Sequence, residues 1–139
     1  MPNYEFLEHT ADIGIRLNSR SLQELFKNAA LAMFDIIAER KSESGNRGLE
    51  KLTLKQEAEN KEELLVNWLN ELLSLSSVKE IIFTDFKIDK LSETALEAAA
   101  FSRPVADFTV NTEIKAATRH ELKIEKTGSL WQAEVIFDV

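Results

Sequence analysis

The chain has 139 residues, 44% of them hydrophobic and 29% charged, enough to bury a core within one domain and too few for two well-developed ones. Its 17 basic against 24 acidic residues leave a formal charge of -7, so the averaged surface repels a phosphate backbone and strong direct binding of nucleic acid is not expected. Cysteine is absent, which excludes disulfides and thiolate metal sites, and no apolar stretch approaches the roughly 20 residues that span a bilayer.

Met1-Pro2-Asn3 leads straight into a strand-like run rather than an apolar secretion signal, so a cytoplasmic location without membrane association is expected. The stretch EHTADIGI, residues 8–15, then places Glu8, His9, Thr10 and Asp12 between Phe6-Leu7 and the alternating Ile13-Gly14-Ile15. Ile13-Ile15-Leu17 continues as a strand with one covered face. Ser21 precedes an apolar stripe at Leu22, Leu25, Phe26, Ala29, Ala30, Met33, Phe34 and Ile37, the spacing of a helix with one buried face, and Ser21 with Glu24 forms a capping box at its start.

Residues 41–48 (KSESGNRG) read as a polar surface loop, and Leu52-Leu54 as a strand. A second helix starts at about Asn60, with Glu62 and Glu63 at its positive end as a solvated or capping pair, and the stripe Leu64, Leu65, Trp68, Leu69, Leu72, Leu73, Leu75. Phe86-Ile88 alternates as a strand, and TALEAAAFSR, residues 94–103, is read as extended because strand-like IIFTDFKI precedes it and VADFTV follows, although three alanines favour a helix. Leu122-Ile124 and Trp131-Ala133-Val135-Phe137 read as two further strands joined by a hairpin turn at residues 126–129 (KTGS). Strands interrupted by two helices predict an α+β fold, with two amphipathic helices packed on a largely antiparallel β-sheet in a single domain, residues 1–139.

Catalytic motifs are missing: there is no G-x-S-x-G elbow, P-loop or dinucleotide fingerprint, and four glycines give little from which to build a phosphate-cradling loop. The two histidines are His9, near Asp12, and His120, between Arg119 and Glu121. In one reading Thr10 and Asp12 are turn residues bonding local amides; in the other Asp12 is a hard oxygen ligand supported by His9. The sequence ends on VIFDV, so Asp138 and the carboxylate of Val139 are adjacent anionic groups, expected near a sheet edge, either as a solvated chain end or as a pair whose repulsion a cation relieves. Oxygen-only ligation selects calcium, magnesium or manganese over zinc, and an Asp12 facing the same end would complete a three-carboxylate site. Lys115, taken to lie on the strand leading to His120, is the basic residue of interest, while Trp68 and Trp131 are expected in the core.

YEFLEHTADIGI, SLQELFKNAALAMFDII, EELLVNWLNELLSL, EIKAATRHELKI and WQAEVIFDV, in this order over nearly the whole chain, resemble the archease family. The resemblance implies a small accessory protein, not itself an enzyme, of the tRNA-splicing RNA ligase usually called RtcB. That ligase uses GTP and manganese to join a 3′-phosphate or 2′,3′-cyclic phosphate to a 5′-hydroxyl, and archease assists its guanylylation and repeated turnover in tRNA processing. It further implies a divalent cation, calcium foremost, held by Asp12, Asp138 and the carboxylate of Val139; the reading of the residues themselves adds His9, His120 and Lys115 as candidates for support. Two positions depart from the family: Arg119 stands where a tyrosine is frequent, and residues 98–103 lack a usual Gly-Glu turn. The competing classes are a small divalent-metal-dependent phosphohydrolase using Asp12 and Asp138 with His9 or His120 as base, and a metal-free adaptor or chaperone.

Overall fold

The computed structural model describes residues 4–8, 12–41 and 49–139. In chain order the elements are β1 (Tyr4–Glu8), β2 (Asp12–Ser19), α1 (Leu22–Ile37), β3 (Ala38–Arg40), β4 (Glu50–Glu57), α2 (Lys61–Lys79), β5 (Ile81–Leu91) and β6 (Ala95–Pro104). A 3₁₀ turn at Val105–Asp107 leads into β7 (Phe108–Val110), followed by β8 (Ala116–Thr118), β9 (Ile124–Thr127) and β10 (Leu130–Asp138).

Both helices start where the sequence places them, for a local reason. Ser21 Oγ accepts the Glu24 amide at 3.0 Å and Asn60 Oδ1 accepts the Glu63 amide at 2.8 Å, each satisfying a first-turn donor that has no partner within the helix. α2 stops at Glu80, which takes a left-handed conformation with φ 55°, its N–H returning to the Ser76 carbonyl.

Among the described residues all the strand pairings are antiparallel, and they form three sheets rather than one: β1-β2-β10-β8 with β9 also on β10, β4-β6-β5, and the short pair β3-β7. α1 lies between the two larger sheets, touching β2 and β10 on one side and β5 on the other. That position explains why it buries Leu25, Phe26, Ala29, Ala30, Ala32, Met33, Phe34 and Ile37, a wider band than a helix on a single sheet needs. Trp68 reaches into the same core with no exposed surface, and its Nε1 donates to the Phe26 carbonyl at 3.1 Å, fastening α2 to α1. Around it Phe34–Phe83 and Trp68–Phe86 meet edge-on at ring separations of 5.5 and 5.7 Å.

The alanine-rich segment is the central strand β6, paired with β4 and β5 at once. Ala98 and Ala100 are buried in the core, and ladder bonds on both edges override the helical preference of alanine. Other expectations need correcting. Leu122 is not a strand residue: its N–H closes a turn on the Arg119 carbonyl at 3.1 Å, Glu121 takes φ 54°, and the strand starts at Ile124. Lys115 likewise precedes its strand, which is only three residues long. Trp131 packs against the core but is only half-buried, and carries Lys126 over its ring at 5.7 Å. The hairpin turn is tighter than four residues: Thr127 pairs with Leu130, leaving Gly128 and Ser129 as the loop, and Gly128 provides the φ of 63° that the turn requires.

Candidate metal centre

The end of β10 is not at a sheet edge. Asp138 has β2 on one side and β8 on the other, with Asp12 and Ala116 as its register partners. Residues directly opposite in an antiparallel pair direct their side chains to the same face, about 5 Å apart at Cβ. Ala133, Val135 and Phe137 fill the core side of β10, so Glu134 and Asp138 lie on the other side, away from the helices.

The outward pairs along this ladder form a series. Gln132 bonds Asn18 at 2.7 Å, Glu134 meets Arg16 at 2.6 Å, and Arg16 reaches on to Glu5 of β1 at 2.9 Å. The guanidinium pKa is pushed up, first by the hydrogen bond to Glu134 and then by the charge of Glu5. Four residues along the strand, Asp12 faces Asp138, so the final pair sets like charges opposite each other. Asp12 is half-buried and Asp138 exposed.

This donor set fits a hard cation: two carboxylates on one face at the open end of a ladder, all oxygen. Among the described residues no three Asp, Glu or His side chains gather closely enough to hold a metal by themselves. The third expected ligand is the carboxylate of Val139, and the expected contribution of His9 lies outside the described residues.

Lys115 is brought to this end, since its N–H donates to the Asp138 carbonyl at 2.8 Å while its side chain is exposed. His120 is not. β8 runs antiparallel to β10, so His120 lies beyond Thr118, on the side of β8 away from Asp138, exposed and 3.9 Å from the Glu121 carboxylate.

Two residues of α2 hold this region: Asn70, which the sequence reading passed over, and Glu62, which it took as a solvated or capping charge. Asn70 binds Ala117 of β8 twice, its Nδ2 donating to the carbonyl at 3.1 Å and its Oδ1 accepting the N–H at 2.8 Å. Glu62 Oε2 accepts the Ile124 amide of β9 at 2.9 Å, which makes it a structural acceptor instead of a solvated charge, and Glu63 lies 3.6 Å from Arg119. The signal for Asn70 was its spacing: four residues after Val66 and three before Leu73, it borders the apolar stripe of α2.

The sequence pattern of the Archease protein family (MTH1598/TM1083) matches residues 4–139. The chain belongs to the archease family. It is 39% identical over 142 residues to the protein archease of Methanosarcina barkeri, covering 98% of this chain and 95% of that one, and 36% identical to the protein archease of Pyrococcus abyssi, with both chains covered in full. Two solved archease-type structures share the fold. Protein 1598 of Methanobacterium thermoautotrophicum has a TM-score of 0.69 at 29% identity, with both chains wholly covered. The archease of Thermotoga maritima, described as a possible chaperone, has a TM-score of 0.68 at 25% identity over 96% of this chain and 94% of that one. Among the described residues of this archease, no helix is long and apolar enough to cross a membrane.

Proposed function

We propose that this archease is a metal-binding accessory protein of the GTP- and manganese-dependent tRNA-splicing RNA ligase, promoting its guanylylation and repeated turnover without itself joining RNA. The observation that carries the reading is the Asp12–Asp138 register pair: like charges opposite each other at the end of a ladder whose other polar outward pairs, Arg16–Glu134 and Asn18–Gln132, are complementary. Asp12, Asp138 and the carboxylate of Val139 would hold the cation, calcium foremost, with manganese and magnesium meeting the same oxygen preference. When bound, it supplies the fixed positive charge that lets three carboxylates share one site. Asp138 would be kept in place through its carbonyl by the Lys115 amide, leaving its side chain exposed toward a partner. An accessory protein of this kind acts by binding one conformation of the ligase more tightly than another, and its effect is bounded by that difference in affinity.

The test is product formed per ligase molecule, with GTP and manganese, in the presence of the wild-type chain or of Asp138→Ala. Several turnovers with the wild type and about one with the variant support the reading. No stimulation by folded wild-type protein removes it, and a hydrolase or metal-free adaptor would take its place. Hydrolysis of model phosphodiesters by the chain alone marks the first of these, and the absence of any Asp12-dependent heat on calcium titration marks the second.

A further inference from the structure

The two hydrogen bonds from Asn70 to Ala117 do the work of a missing strand. Ala117 is the register partner of Phe137, and its N–H and C=O both turn away from β10 toward α2. A carboxamide is the side-chain group of this size that offers a donor and an acceptor together, so it completes the edge of β8 as a neighbouring backbone would. β8 is otherwise held by its pairing with β10 and by the buried Ala117. It is three residues long and lies between irregular segments, residues 111–115 and 119–123. Its opposite edge meets the last residues of β10: Thr118 Oγ1 donates to the Ile136 carbonyl at 3.0 Å and the Lys115 amide to the Asp138 carbonyl at 2.8 Å.

We infer that Asn70 is a positioning residue for the carboxylate end of β10, acting through Ala117 and the Lys115 amide on the main chain of Asp138. The inference rests on the metal-binding reading for its functional meaning and on the Asn70–Ala117 geometry for its structure. α2 thereby sets the orientation of Asp138 from the far side of β8, without touching it.

The experiment measures two quantities, calcium affinity by calorimetry and hydrogen exchange at the Lys115 amide, in the wild type, Asn70→Leu and Trp68→Phe. Trp68→Phe loosens the same helix two residues away and serves as the control for lost stability. Asn70→Leu is expected to weaken calcium binding by about tenfold or more, while Trp68→Phe changes it by less than about twofold. Lys115 should exchange faster in Asn70→Leu and as in the wild type in Trp68→Phe. Unchanged affinity together with an unchanged Lys115 amide in Asn70→Leu overturns the inference. If Asn70→Leu does not fold, Asn70→Asp provides the same comparison, because it keeps the acceptor for the Ala117 N–H and loses the donor to the Ala117 carbonyl. If the wild type gives no heat that depends on Asp138, the metal reading fails on its own, and the Lys115 exchange still decides whether Asn70 holds this strand end.

Discussion

The hydroxyl of Tyr4 donates to Asp35 Oδ2 at 2.8 Å, tying the outermost strand β1 to the last turn of α1. Partial burial, then the hydrogen bond, then the negative charge of Asp35 push the Tyr4 pKa from 10.0 up to about 12. Tyr4 is the sole tyrosine of the chain, so phenolate absorbance reports on it alone. In the folded protein the transition should centre near 12 and fall in Asp35→Ala, while staying above 10.0 because burial remains. The folded state retains this proton where the unfolded chain loses it. Its contribution to stability is therefore complete below pH 10.0 and lost as the pH rises toward about 12. A wild-type midpoint at the ordinary phenol value would contradict the contact.

The like-charged pair at the end of the β2–β10 ladder predicts opposite effects with and without cation. Without metal, Asp138→Asn removes the repulsion across the strands and should raise stability by a few tenths of a kcal/mol. With calcium at about 100 times its dissociation constant, the wild type should gain about 2.7 kcal/mol and the variant nearly nothing. Thermal melting in chelator and in calcium reads both, and equal calcium shifts in the two proteins would exclude Asp138 as a ligand.

Trp68, buried on α2, meets Phe86 edge-on, and its indole N–H bonds the Phe26 carbonyl of α1. Trp68→Phe removes that bond and part of the ring volume, which should cost about 1–3 kcal/mol by urea titration. The blue-shifted share of the tryptophan emission should vanish with it, leaving the half-buried Trp131. Emission unchanged by the substitution would contradict the burial of Trp68.

Glu62→Ala takes away the acceptor of the Ile124 amide, with a cost of about 1–2 kcal/mol and faster exchange at that amide, whereas Glu62→Gln keeps a carbonyl and should largely restore both. If Gln behaves as Ala does, the charge of Glu62 matters rather than its acceptor.

The sequence carries the helices and most of the strands because each is encoded locally. Ser21 and Asn60 cap their own amides, the leucine and phenylalanine stripes repeat at helical spacing, and β2 and β10 alternate. Where pairing decides, the sequence says less. β8 is a strand because Asn70 and β10 hold its two edges, and Leu122 is not one because a left-handed Glu121 turns the chain just before it. Among the candidate ligands, Asp12 and Asp138 were legible as residue types, but their register was not, since a one-residue slip of the ladder would have put them on different faces. The contacts of Asn70 and Glu62 were hidden because hydrogen bonds to distant backbone leave no periodic trace in the chain that makes them.

The β2–β10 ladder also has a consequence for time. Arg16 and Glu134, which meet across it, are 118 residues apart in the chain. Closing so long a loop is costly in entropy, so this pairing belongs to the late, slow part of folding, and the Asp12–Asp138 pair does not exist before it. A cation bridging that pair has little to grip in the folding transition state. It would leave the folding rate almost unchanged and slow unfolding instead, acting as a latch that closes only after the molecule is assembled.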